Sequence, residues 1–293
     1  MNPPGYIGAQ MTPQELRKSV EQIESIPSPS FSLNRILELA SDSESEIAQL
    51  AASVETDPAV TARVLRLANS AYFGVARDVG SVGRAIMVVG YTNVLSLAVC
   101  AALAPAFQGQ DTHLDRSALW MHSCGTAEAS RIVAAHLGFD PATAHAAGLL
   151  HDLGAVVLSE VLGEEYGKVV DAAFRRGESL AAVEQEILGV AHPAAAGFLF
   201  DRWDLPLPLV AAVVHHHEPQ TDNSGLAAVV ALADHLAVRA GFLGVTCYEP
   251  SGGPSRELRG LLGLEETDVD KFASELEERR AAIELLAGAR ASP

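Results

Sequence analysis

At 293 residues, 48% of them hydrophobic and 19% charged, the chain is long and apolar enough for a substantial core, which excludes a mainly disordered protein. Its net charge of -17 repels phosphate backbones and anionic lipid, so neither nucleic acid nor a membrane surface is an expected partner. No Lys/Arg cluster is larger than Arg279-Arg280, and Cys100, Cys124 and Cys247 show no CxxC spacing. With no basic segment followed by an apolar one at the N-terminus, reduced thiols in a cytoplasmic protein are the expectation.

In chain order, Ile47, Leu50, Ala51 and Val54 recur at helical spacing and predict an amphipathic helix. Asp57-Pro58 reads as an N-cap followed by proline at the first helical position, and Val60, Val64, Leu67 and Ala68 form the next apolar stripe. From Ala85 to Gln110 the chain carries no charge and is nearly long enough to span a bilayer. Gly90, Tyr91, Thr92, Asn93 and Ser96 interrupt that run and Pro105 closes it, so buried core helix is expected, with Gly90 as a helix stop. Gly, Gln and Asp then break the pattern between Pro105 and His113, and every histidine falls at or beyond His113. A second loop is expected from Cys247 to Glu257. Thr267 to Asp270 has capping-box character and opens a long charged helix with Phe272, Leu276, Ile283 and Leu286 as its stripe and Gly288 as its end. No sustained two-residue alternation occurs, so the chain reads as all-α. The breaks divide it into a helical subdomain at 12–110, a histidine-bearing helical subdomain at 111–246, and a loop with closing helices at 247–293.

Chemistry concentrates in the second part. His122 lies in "LWMHSCGTAEAS", His151-Asp152 in "AAGLLHDLGAVVLSEVL", His192 in "GVAHPAAAG", His216 and His217 in a triplet that His215 begins, and Asp234 in "ALADHLA". A histidine or aspartate buried without a partner costs several kcal/mol. Imidazole and carboxylate together suit a divalent Mn, Fe, Ni or Zn ion. Neighbours on a helix diverge by about 100°, so His151 and Asp152 are not expected to chelate one ion unaided. They would offer ligands to a cleft that other helices complete, or Asp152 would bridge two ions. Each residue also has a plainer reading. His122 fits a core histidine bonded to a carbonyl, His192 a helix start, the triplet a solvated helix end, and Asp234-His235 a surface pair. Together they could form a hydrogen-bonded network without metal.

"LLHDLG" resembles the signature of the HD superfamily of metal-dependent phosphohydrolases. "ELASDSESEIAQLAASVETDPAVTARVLRLANSAYFG", followed by "SVGRAIMVVGYTNVLSLAV", resembles the HDOD family, the HD-related output domain of bacterial signalling proteins. The resemblance runs from about Ile26 to about Leu286 and implies one all-α unit, an N-terminal helical bundle packed on an HD-like helical domain. It also implies a regulatory or protein-interaction module without established enzymatic activity. The related HD-GYP enzymes hydrolyse cyclic di-GMP at a di- or tri-metal centre. Their metal pattern corresponds to His122, His151, Asp152, His192, His216, His217 and Asp234. Their lysine three residues after the HD aspartate is here Ala155, the glutamate four before the first histidine is Ala118, and "TDNSGLAA" stands where the GYP loop would be. Losing that lysine removes a charge able to hold a phosphate oxygen, an effect typically worth about 2.7–4 kcal/mol in the transition state. The resemblance therefore implies a non-catalytic cytoplasmic signalling protein with a protein partner or small signal, a small nucleotide among the candidates. One or two divalent ions (Fe, Mn, Ni or Zn) would be its cofactor. A metal-dependent phosphohydrolase or phosphodiesterase is the alternative.

Overall fold

The computed structural model describes residues 10–26, 35–36, 39, 47–70, 73–74, 78–107, 114–244 and 254–288, and among them every regular element is a helix. The first, α1 (Pro13–Glu21), starts at a capping box: Thr12 Oγ1 accepts from Glu15 N–H, and Glu15 Oε2 accepts from Thr12 N–H at 2.8 Å. It buries Leu16 and Val20 and packs on helices of the second half, where Met11 N–H donates to Leu188 O at 2.7 Å and Arg202 donates to Val20 O and Ile23 O.

Among the elements whose bounds are described, α2 (Ile47–Glu55), α3 (Pro58–Ala68), α4 (Val82–Val89) and α5 (Tyr91–Leu103) come next and pack on one another. The expected start of α3 is present, with Asp57 Oδ1 accepting from Val60 N–H at 3.2 Å. In α2 the stripe is narrower than its periodicity, since Leu50 and Val54 are buried while Ile47 is 45% exposed. The uncharged run from Ala85 onward divides as expected. Gly90, at φ 95°, ends α4 and begins α5, a backbone conformation that L side chains rarely adopt. A 3₁₀ turn, Ala104–Phe107, closes the run at Pro105.

The second half is built round α6 (Arg116–Leu137), capped by Asp115 and ended by Gly138 at φ 78°. Beyond it come α7 (Pro141–Leu150), α8 (Leu153–Leu162), α9 (Glu164–Arg176), α10 (Leu180–Leu188), α11 (His192–Trp203), α12 (Leu207–Val214) and α13 (Leu226–Arg239). Small residues let these helices approach closely. A Cβ on Gly148 of α7 would lie 2.4 Å from Ser130 Oγ, and one on Gly125 of α6 would lie 2.8 Å from the Phe242 ring. The first bundle joins this half through α5, which packs on α7. The stretch Pro141–Leu162 is long and apolar enough to cross a membrane, yet 89% of its apolar 18-residue window is buried within the protein.

At the C-terminal end are α14 (Arg256–Leu262), α15 (Glu266–Glu278) and α16 (Arg280–Ala287). The long closing helix is thus two helices, broken at Arg279. The capping box lies at Glu265 and Asp268, which places Thr267 inside the first turn rather than at its start. Phe272, Leu276 and Ile283 are buried as the stripe requires, and Gly288 ends α16 at φ 74°. Cys100 and Cys124 are buried free thiols. Cys247, the side chain of Leu286, and most of the expected breaks at 105–113 and 247–257 lie outside the described residues.

Candidate metal centre

All seven candidate side chains meet in the second half. His122 comes from the middle of α6, His151 and Asp152 from the junction of α7 and α8, and His192 from the first residue of α11. His216 and His217 follow the end of α12, and Asp234 projects from α13. Asp152 is the hub. Its Oδ1 lies 3.2 Å from His192 Nε2 and 3.8 Å from His216 Nε2, while its Oδ2 lies 3.2 Å from His151 Nε2 and 3.8 Å from His122 Nε2. His122 Nε2 also lies 3.0 Å from Asp234 Oδ1, and His217 Nε2 lies 3.1 Å from His192 Nε2.

The expected divergence of His151 and Asp152 does not occur. An unbroken helix would separate them, but α7 stops before His151, and Asp152 takes φ -100° and ψ 5° ahead of α8. That break folds the two side chains toward each other. The plain reading of His122 holds for one of its nitrogens, since Nδ1 bonds the Phe242 carbonyl at 2.8 Å. His216 is buried rather than solvated, whereas His217 is exposed and the Asp234 side chain is 27% exposed, so these two form the open edge of the site.

The second nitrogen of each buried ring shows what the site can hold. His122, His151 and His216 donate Nδ1–H to the carbonyls of Phe242, Gly148 and Val213 at 2.8, 2.8 and 2.6 Å. A carbonyl only accepts, so these partners fix the tautomer and leave Nε2 of each neutral ring as a bare lone pair. Those of His151 and His216 point at Asp152 oxygens, which are also acceptors, while His122 Nε2 lies 3.0 Å from Asp234 Oδ1 and 3.4 Å from the Thr126 hydroxyl. His151 Nε2 and His216 Nε2 are buried and make no hydrogen bond. Lone pairs converging on carboxylates in a buried place call for a cation. The ligand atoms fall into two groups, each within 4.8 Å: His122, His151 and Asp152, and Asp152, His192, His216 and His217. The donor set fits divalent metal, with Asp234 beside the first group. Such an ion supplies Lewis acidity and hydroxide at neutral pH.

Glu184, on α10, is a member of this constellation that the sequence reading missed. It is fully buried and accepts from both the backbone N–H and the Nδ1–H of His192, at 2.8 and 2.7 Å. The buried Tyr166 hydroxyl donates to its other oxygen at 2.6 Å. One signal was available: Glu184 falls four residues after Leu180 and one after Val183, on the apolar stripe of its helix.

Electrostatics follow from this packing. Burial raises the cost of charge on Asp152, but His151 and His192 beside it hold its carboxyl well below the ordinary range. Burial likewise disfavours charge on His192, yet Glu184 and Asp152 lift it to about 10, so a proton competes with metal there. Burial pushes His216 well below its usual value, with His217 adding to the effect. These shifts predict a stability maximum for the metal-free site. Below 6.5, unfolded His216 takes up a proton that the folded ring refuses, so stability falls with falling pH. From 6.5 to about 10, folded His192 holds a proton that the unfolded ring has released, so stability falls with rising pH. From pH 6.5 to about 10, chelator-treated wild-type protein should lose stability relative to Glu184→Gln, which lacks the carboxylate that lifts His192, and parallel melting profiles would remove the assignment.

Comparison with known proteins gives the family. The HDOD domain matches residues 26–219, and the chain belongs to that family. A solved HDOD domain protein of unknown function from Geobacter sulfurreducens superposes with a TM-score of 0.80 at 25% identity, covering 94% of this chain and 97% of that one. A solved candidate signal transduction protein from Marinobacter aquaeolei gives 0.78 at 25% identity, covering 97% of this chain and 62% of that one. Among curated relatives, an uncharacterized protein of Treponema pallidum is 25% identical over 200 residues, 68% of this chain. Ribonuclease Y of Thermus thermophilus is 35% identical over 116 residues, 40% of this chain. The chain spans 38% and 16% of the lengths of these two relatives.

Proposed function

We propose that this protein is a cytoplasmic bacterial signalling module that holds two divalent ions and acts through a protein partner or a small signal, without turning over a substrate. The observation that carries the metal part is the division of Asp152: each of its oxygens faces its own group of histidines, and the tautomers leave lone pairs on both sides. Membership of the HDOD family supports the regulatory part. So does Ala155, fully buried on α8, which offers no charge to a phosphate oxygen.

A second reading, a metal-dependent phosphohydrolase, is favoured by the same shared carboxylate, which would set two ions side by side across a phosphoester. The partial likeness to Ribonuclease Y supports it as well. One preparation separates the two. Elemental analysis of anaerobically purified protein should find divalent metal, and the same sample should leave phosphoesters intact. Specific turnover that His151→Ala abolishes would overturn the signalling reading in favour of the hydrolase, and protein without metal under every divalent supplement would remove the hydrolase and the metal part of the signalling reading.

A further inference from the structure

Three of the four buried site rings rest Nδ1 on a backbone carbonyl, whereas His192 rests it on the carboxylate of Glu184. The difference has an electrostatic counterpart. The first group of ligands has Asp152 and, beside it, Asp234, whereas the second has three imidazoles and its share of Asp152 alone. A divalent ion in the second group would therefore meet less negative charge from its direct ligands. Glu184 lies directly behind that group. It is fully buried, its charged partner is His192 itself, and Tyr166 from α9 and the backbone of His192 hold its two oxygens in place. A carboxylate on the far nitrogen of a ligating imidazole fixes the ring, holds the neutral ring's proton on that far nitrogen, and makes the ligating nitrogen a stronger donor.

We propose that Glu184 is a positioning residue for one of the two ions: through His192 it supplies the charge that the second ligand group lacks, and it makes that group selective for a divalent cation. The inference rests on the metal-centre reading above.

The test is a calorimetric titration of metal-free full-length protein with Co(II), alongside its d–d absorption. Wild-type protein should show two binding events. Glu184→Gln can keep hydrogen bonds to His192 and Tyr166 while losing the charge. It should weaken one event about 10–100-fold, the usual cost of removing such a partner, and leave the other event unchanged. Glu184→Asp, which keeps the charge but draws it back by one methylene, should weaken the same event by less, and serves if the glutamine variant folds poorly. Glu186→Gln, on an exposed residue of the same helix that pairs with Arg176, should alter neither event. Two events of wild-type affinity in Glu184→Gln, or an equal loss of both, would overturn the role of Glu184 while leaving the metal centre standing. Wild-type protein that takes up no Co(II) would overturn the metal reading and this inference with it.

Discussion

Asp152→Asn should abolish the uptake of both ions while leaving the helices folded. The residue is 1% exposed, its two oxygens lie 3.2 Å from His192 and His151 respectively, and among the described residues no other ligand belongs to both groups. Asparagine has nearly the same shape, but it lacks the charge and turns one acceptor into a donor. In the metal-free protein two effects then oppose each other. The attraction to protonated His192 is lost, but an amide N–H now faces ring nitrogens that otherwise have no hydrogen bond. The chelated midpoint should therefore shift little. The increment on adding metal should vanish instead, a loss of about 2.7 kcal/mol for each ion supplied at a hundred times its dissociation constant. Elemental analysis and melting with and without chelator measure both quantities. A hydrogen-bonded network without metal predicts the reverse, a lowered midpoint in chelator and no metal increment in either protein.

Much of the fold was legible because local rules act before tertiary ones. Asp57-Pro58, Gly90 and Gly288 are start and stop signals whose geometry depends on a few neighbouring atoms, and each does what its residue type requires. Periodicity defined faces, but which part of a face is covered is decided by distant segments, so Leu50 is buried and Ile47 is not. The break at Arg279 carries no proline or glycine, and nothing in the sequence marked it. The site divides similarly. A buried histidine and aspartate demand partners, and their likeness to the HD pattern supplied the identities. The divergence of His151 and Asp152 was misjudged because periodicity assumes a continuous helix, and Leu149 to Val157 gives no hint of interruption beyond Gly154. Glu184 was masked by composition: in "AAVEQEILG" a glutamate reads as solvent-facing, and its place on the stripe of Leu180 and Val183 is a weak signal beside the partners across the fold that bury it.

Gly154→Ala should cost more stability than an alanine normally gains a helix, and should disable half of the metal centre. In an unobstructed helix the exchange is favourable by about 1 kcal/mol. Here the new Cβ would lie 1.8 Å from the His192 carbonyl oxygen, 2.7 Å from its carbon and 3.0 Å from Ala196 N. All three atoms are backbone, so no side chain can swing aside, and α8 and α11 must separate. Leu153, Val157, Ala195 and Leu199, fully buried on these two helices, would lose packing as they do. Overpacking of a core costs typically 1–3 kcal/mol and occasionally more, and a backbone clash belongs at the upper end, well beyond the propensity gain. At roughly 2–4 °C per kcal/mol for a chain of this order of size, the midpoint should fall by several degrees. The same displacement carries His192 away from Asp152, so one Co(II) event should be lost while the event at His122, His151 and Asp234 persists. Gly83→Ala is the control: it lies within α4, a Cβ there meets nothing within 4 Å, and the exchange should be neutral or stabilising. If both glycines tolerate alanine equally and both Co(II) events survive in Gly154→Ala, then α8 and α11 are not close enough for the HD glycine to set the position of His192.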